Sequence, residues 1–425
     1  MLRPKSKPGL RALVGLIRRW IMRPAYRFEY TPHPAKRQLL VDVSVIIRND
    51  ARTGIQRVVR ALLGQLDSLD LEGFVLQPVF ATRNHGYCKA RLLSDGQVTN
   101  GTGDDRSLQP VTARQGDIFL GLDLCANLLP LLETDLRNWR KNGASIAIVV
   151  YDLLPLARQE WFPARTAKNF RRWLGVVARQ ADHCITISDA VASALKSALT
   201  IIGAGPLPKI SSIPLGADLA NSFPTKGVPG NIARLREWLK AHQVILSVGT
   251  IEPRKGHEQL LAALSPYWES KPNGQIALLL VGRRGWKTDH IVQCIQTHAE
   301  YGQRLIWLEH CSDQLLIELY KDAGGLVAMS HAEGFGLPLV EALVHGCPVL
   351  ARNLPVFREI GGAEFDYFED DSPGPLLARI NAWIATTERP TAAAIAAFPR
   401  WRDSASVLAN RLGIKLGLPG QVIAP

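Results

Sequence analysis

SHAEGFGLPLVEALVHGCP, residues 330–348, holds two acids, Glu333 and Glu341, eight positions apart. Gly334 and Gly336 allow backbone angles that other residues avoid, so the chain can turn sharply between the acids. Leu339, Val340, Leu343 and Val344 recur at helical spacing and Pro338 suits a first turn, which predicts a helix beginning close to Leu337. Glu333 is then at the lip of that helix and Glu341 about two turns inside it. Backbone N–H groups point outward at such a lip and attract anions, while a carboxylate there can grip hydroxyls.

A second constellation lies upstream in VILSVGTIEPRKGHEQLLAAL, residues 244–264. The apolar run Val244–Val248 ends in Gly249-Thr250, followed by Arg254, Lys255 and Gly256, and then by a helical pattern through Leu260, Leu261 and Leu264. A strand, a loop bearing two cations and a helix are expected. Arg is a two-pronged donor and Lys a compact point charge, so the pair suits a phosphate; an exposed basic dipeptide is the plainer alternative.

Together these segments resemble the family-4 glycosyltransferases. The residues that carry the resemblance are Gly249–Gly256, Leu279-Val281-Gly282, Asp313 with Leu315 and Tyr320, and Ser330–Glu341 with Gly346, Pro348 and Val349. It covers nearly all of residues 243–362 and extends more thinly through Ala181-Asp182, Ile187-Ser188 and Pro214–Asp218. The resemblance implies an α/β chain of the GT-B type, two Rossmann-like domains facing each other across a cleft. It implies transfer of a sugar from a nucleotide diphosphate with retention of anomeric configuration. In such a site Glu341 would hold the ribose hydroxyls, and Glu333 would lie beside the transferred sugar. The amides of Gly334, Phe335 and Gly336, with Leu337, would face the sugar or diphosphate, and Gly282 and Arg283 would reach the donor edge. Phe335 and Leu337 equally suit a core.

Two departures from the family pattern fall in the first half. Family members carry a glycine-rich loop where this chain has Arg52-Thr53-Gly54-Ile55-Gln56-Arg57; only Gly54 matches, leaving Thr53 and Arg57 as substitutes. Many relatives place a histidine, facing the transferred sugar, where Tyr151 precedes Asp152. Tyrosine is a poor base near neutral pH. A retaining transfer in which the leaving phosphate takes the acceptor's proton does not need that base, so Asp152 becomes the candidate for binding sugar or acceptor hydroxyls. The expected catalytic set is therefore Glu333, Arg254, Lys255 and Asp152.

The 425 residues suit two domains rather than one core, and 47% hydrophobic with 21% charged residues is ordinary for a folded chain. Six cysteines form no C-x-x-C and no Cys/His cluster, so neither zinc nor a redox pair is expected; each reads as a small buried hydrophobe, in keeping with a reducing compartment. The chain has no D-x-D triplet, and Asp104-Asp105 and Asp370-Asp371 read as solvated turns, so no metal and no other cofactor is expected.

Of the net charge of +12, eight cations lie in residues 1–28, which contain no acid. Leu10, Leu13, Val14, Ile17, Trp20 and Ile21 share one helical face, so this stretch reads as a basic amphipathic helix on an anionic bilayer, or else as a solvated tail or a helix packed on its own domain. It is too short and too interrupted by charge to span a membrane. A cytoplasmic enzyme held at the inner face of the membrane is expected. Nucleic acid is not an expected partner, because the basic excess lies in this tail and no recognition motif accompanies it.

The organisation expected is a basic segment and linker over 1–37, an acceptor domain over 38–218, a nucleotide-sugar domain over 219–395, and over 396–425 a helix crossing back to the first domain, with a tail. Strands are predicted at Leu39–Ile47, Phe74–Phe80, Ile118–Gly121, Ser145–Val150 and His183–Ile187, with a variable loop from Asn84 to Gln109. In the second half they fall at Val244–Val248, Ile276–Val281, Arg304–Leu308, Gly325–Met329 and Pro348–Ala351. The activity expected is hexosyl transfer, mannose first, onto a glycan or lipid-linked oligosaccharide in surface polysaccharide or lipopolysaccharide assembly. A sugar-nucleotide epimerase on the same scaffold and a catalytically silent glycan-binding subunit are the rival readings.

Overall fold

Two buried runs without polar alternation, SIAIVV at Ser145–Val150 and IALLLV at Ile276–Val281, are interior strands of two separate sheets. Strands of this kind need cover on both faces, which is what a parallel sheet flanked by helices provides. The computed structural model describes residues 36–100, 108–228, 230 and 232–417, and the basic segment 1–28 lies outside them.

The first sheet contains β1 (Arg37–Asp42), β2 (Phe74–Thr82), β3 (Gly86–Lys89), β6 (Ile118–Gly121), β7 (Ser145–Val150), β8 (His183–Thr186) and β9 (Lys209–Ser212), in the order β3-β2-β1-β6-β7-β8-β9. All its pairs are parallel except β2–β3. Two short strands, β4 (Arg91–Leu92) and β5 (Val98–Thr99), pair beside it. The second sheet is wholly parallel and runs β12-β11-β10-β13-β14-β15, from β10 (Gln243–Val248), β11 (Ile276–Val281), β12 (Leu305–Leu308), β13 (Gly325–Ala328), β14 (Val349–Arg352) and β15 (Asp366–Phe368). Each sheet reverses its winding once, at β1/β6 and at β10/β13. Loops leaving the carboxyl ends of the strands at such a reversal form the ligand crevice of an open α/β sheet.

Seven helices bear on that crevice: α1 (Gly54–Ser68), α2 (Ala164–Gln180), α3 (Asp189–Ile202), α4 (His257–Ser270), α5 (Asp313–Asp322), α6 (Leu337–Val344) and α7 (Trp401–Arg411). After the second sheet the chain returns, and α7 packs on α1. Trp401 donates its N–H to Asp218 Oδ1 at 2.8 Å, and Gly216 passes so close that a Cβ there would stand 2.2 Å from the Trp401 nitrogen. One apolar cluster runs from Leu62 and Leu66 through Trp401 and Leu408 to Leu337, Leu343 and Leu246, so the two sheets share a core.

Three sequence expectations are corrected here. The first strand ends at Asp42 rather than Ile47. The Asp42 carboxylate accepts the Ser44 N–H at 2.9 Å, and Asp123 accepts the N–H groups of Val45 and Ile46 at 2.7 and 2.8 Å, so side chains take the donors that a longer strand would have offered to a neighbour. Burial pushes the Asp42 carboxyl up to about 7 and that of Asp123 to about 6. The stretch expected to be a loop from Asn84 carries the hairpin partner β3 and the pair β4–β5. Cys294 and Cys311 are half-buried, unlike the other four cysteines, and all six are free. Among the described residues no helix is long and apolar enough to cross a membrane.

Candidate active site

The loops after β10, β11 and β13 are forced together by glycine. Gly282, at φ +153°, lies under Gly249, where a Cβ would stand 1.9 Å from the Gly249 carbonyl oxygen. Gly256 starts α4 at φ +68°, and a Cβ on it would stand 2.5 Å from the Met329 carbonyl oxygen. No other residue type fits these approaches. The Arg254–Gly256 turn is thereby laid against the loop bearing Glu333, a contact sealed by the His331 N–H donating to the Arg254 carbonyl at 2.8 Å.

Glu333 is the meeting point. Its Oε1 accepts from Lys255 Nζ at 2.5 Å and from Ser330 Oγ at 2.8 Å, and its Oε2 accepts from Arg254 Nη1 at 2.6 Å. Arg254 Nε also donates to Glu252 Oε2 at 2.9 Å. The Glu333 side chain is only 11% exposed. Burial alone would raise its pKa, but Arg254 and Lys255 outweigh that and hold it down to about 2. Beside Lys255, Ser247 and Gly336 lies a cavity of about 20 Å³, room for about one water. The two cations are thus met by a carboxylate in this form.

Asp152 comes to the same place from the other sheet. Gly334 passes against its main chain, where a Cβ would stand 2.1 Å from the Tyr151 carbonyl oxygen and 3.1 Å from Asp152 Cβ. Asp152 accepts the Leu154 N–H at 3.0 Å. Burial raises its pKa, against the pull of Arg254. The Tyr151 side chain points away from this group: it is buried and its hydroxyl donates to the Leu122 carbonyl at 2.7 Å. The position of the family histidine is thus filled by a core residue, and Asp152 is left as the neighbouring polar group from the first sheet.

Glu341 lies on α6 and is 1% exposed. Arg57, from α1 of the opposite lobe, donates to Glu341 and to Asp313 on α5, and the Tyr320 hydroxyl donates to Glu341 at 3.2 Å. Asp313 also accepts the Thr225 N–H at 2.8 Å, tying in the segment between the lobes.

The remaining sequence-predicted residues divide between cap, core and edge. Thr53 caps α1, exchanging bonds with Gln56. Gly54 faces Leu337, with 3.8 Å between a built Cβ and Leu337 Cδ1. Phe335 and Leu337 are buried in the shared core. Gly336 starts α6 at φ +131°. Arg283 reaches across to donate to the Ala51 carbonyl at 3.1 Å.

Sequence reasoning missed Ser188 and Glu359 as contacts between the lobes. The Ser188 hydroxyl donates to the Gly334 carbonyl at 2.8 Å, and the Asp189 and Ala190 N–H groups at the start of α3 donate to Glu359 at 2.6 and 2.9 Å. Ser188 carried the signal of a helix cap, and Glu359 carried none.

Residues 236–397 match the sequence profile described as glycosyl transferases group 1. The serotype-specific mannosyltransferase WbdA of Escherichia coli is 35% identical over 390 residues, 89% of this chain and 46% of that protein. The similarity to these glycosyltransferases runs through both lobes. The chain spans about half the length of the first curated relatives it matches, and 30% identity to the D-inositol 3-phosphate glycosyltransferase of Segniliparus rotundus covers 51% of this chain and 49% of that protein. The sucrose-phosphate synthase of Thermosynechococcus elongatus superposes on this chain with a TM-score of 0.61 at 17% identity, covering 89% of this chain and 98% of that one. Anabaena HepE in complex with UDP and glucose gives 0.56 at 19% identity, covering 89% and 95%. The fold of this chain is the two-lobed GT-B fold.

Proposed function

We propose that the chain is a retaining glycosyltransferase that moves mannose from a nucleotide-diphosphate donor to a glycan or lipid-linked oligosaccharide in the assembly of a surface polysaccharide or lipopolysaccharide. The 35% identity to WbdA, which extends through both lobes, carries the reading. The convergence of Arg254, Lys255 and Glu333 supports it at the level of chemistry.

Breaking the bond between the anomeric carbon and the donor's phosphate leaves charge on the diphosphate, and Arg254 and Lys255 are fixed in place to meet it. In the proposed cycle the diphosphate takes over these two cations, freeing the Glu333 carboxylate to face the sugar, whose anomeric carbon gains positive character as the bond breaks. The acceptor oxygen bonds to that carbon on the face the phosphate leaves, and its proton passes to the departing phosphate oxygen. No protein base is required, in keeping with Tyr151 being turned into the core. We also propose that protein cations fill the role of a metal. Glu341 would hold the ribose hydroxyls once Arg57 releases it.

The mannosyl assignment is tested by incubating the purified chain with GDP-mannose and, in parallel, UDP- and dTDP-sugars, with a mannan acceptor. Mass spectrometry of the acceptor should show hexose added from GDP-mannose, and NMR an α-anomer from the α-linked donor. Interconversion of donors without acceptor would instead establish the epimerase. The same proposal places the enzyme in the cytoplasm at the inner leaflet through residues 1–28, on the strength of eight cations and no acid there. Unchanged flotation with anionic liposomes after deletion of residues 1–30 would remove that placement.

A further inference from the structure

We propose that the cavity between the first turns of α2 and Lys287 binds a phosphate-type anion, namely the phosphate or diphosphate carried by the acceptor. The cavity, about 550 Å³, is lined from the first lobe by Phe162, Ala164, Ala167, Lys168 and Arg171, and from the second by Lys287. Lys168 and Arg171 stand three positions apart and so share one face of α2. Both are exposed, and among the described residues neither pairs with a carboxylate. The one acid on the rim, Glu160, turns its carboxylate to Arg158 at 3.8 Å. The first turn of α2 carries no acid and no side-chain cap, which adds to the positive potential.

Lys287 is placed there with some effort. Its backbone is left-handed, φ +56°, a conformation that a lysine rarely takes unless its surroundings hold it. Its Nζ donates to the Glu160 carbonyl at 2.7 Å, and the neighbouring Trp286 indole donates to the Trp161 carbonyl at 2.8 Å while its ring packs on Phe162. Two cross-lobe hydrogen bonds therefore hold a second-lobe cation against two first-lobe cations. Arg254 and Lys255 are met by Glu252 and Glu333, whereas Lys168 and Arg171 face solvent unmatched. A separate anion of two or more charges would complete this second cluster, and guanidinium and ammonium donors are suited to phosphate oxygens. The Trp161 ring lies 6.3 Å from that of His331, whose N–H holds the Arg254 turn, so the cavity adjoins the transfer site.

Assigning the anion to the acceptor rests on the functional reading above; the anion site itself does not. Inorganic pyrophosphate is titrated by calorimetry into the full chain, into K168Q/R171Q and into R254Q. The expected result is a binding event retained in R254Q and weakened at least about tenfold in K168Q/R171Q, with an unchanged melting temperature. Equal pyrophosphate affinity in wild type and K168Q/R171Q overturns the proposal. If K168Q/R171Q loses flotation with phosphatidylglycerol vesicles but binds pyrophosphate normally, the cations belong to a membrane contact and the proposal also falls. A chain that binds pyrophosphate here and transfers no mannose would refute the functional reading alone.

Discussion

Arg57, on the first helix of the N-terminal lobe, donates to Glu341, on the helix behind the glycine-rich bend of the C-terminal lobe. With Asp313 on its other nitrogen, one guanidinium ties two acids that are 1% and 8% exposed. Removing the cation leaves both acids without their counter-charge, a loss of about 3–5 kcal/mol for a buried pair. Arg57→Ala is therefore expected to melt well below wild type and to show a larger radius of gyration by solution scattering, while Arg57→Lys recovers part of the loss. In the same series Glu341→Ala should weaken nucleotide binding. Identical scattering curves for Arg57→Ala and wild type would show that the contact does not hold the lobes.

Arg254→Ala and Lys255→Ala are each expected to slow transfer by at least about 100-fold, the scale on which loss of a preorganised charge-stabilising donor is felt. The effect should fall on kcat more than on the acceptor KM. Near-normal turnover in both would take the pair out of the mechanism.

Glu333 stays ionised far below neutral pH because Arg254 and Lys255 hold its pKa at about 2 against an ordinary 4.5. A depressed carboxylate stabilises the fold above its unfolded pKa and loses that contribution as pH falls toward the folded value. Glu333→Gln should thus be less stable than wild type to urea at pH 7, with the gap narrowing between pH 4.5 and 3, and should transfer at least about 100-fold more slowly. A stability gap independent of pH would mean that the ion pairs contribute nothing net.

Asp42 shifts the other way, from 3.8 up to about 7 through burial, and Asp123 in the same direction. Well below the unfolded value of 3.8 both folded and unfolded chains hold the Asp42 proton. As pH rises toward 7 the unfolded chain releases it first, so stability falls over that window and levels off above it. Asparagine keeps the acceptor that Ser44 uses and can donate to the Tyr87 oxygen. Asp42→Asn is expected to raise the melting temperature by at least roughly 2 °C at pH 8 relative to its effect at pH 4.5. An equal effect at both values would count against a buried, proton-holding Asp42.

The strands of the second lobe were legible because a parallel sheet covered on both faces demands continuous apolar runs, and IALLLV is one. The helix at Leu337 was legible from spacing and Pro338, and it begins there. β9, KISS, and β15, DYF, were not legible. They are short sheet edges whose pairing comes from a neighbour rather than from their own apolar pattern. Tyr151 illustrates the limit at the site: its position beside Asp152 was readable, but whether it faced the cleft or the core depended on the Leu122 carbonyl 29 positions away in sequence.

Local sequence by itself determined the two-lobed class, the cation pair at 254–255 and the acid pair at 333 and 341, since these follow from periodicity, turn chemistry and spacing along a continuous chain. Only the tertiary structure decided the partners: that Glu333 meets both cations, that Glu341 is held by an arginine 284 positions away, and that Lys287 closes a cavity with α2. The physical reason is that a charge interacts through distance and dielectric, and both are set by which surfaces the fold brings together and dries.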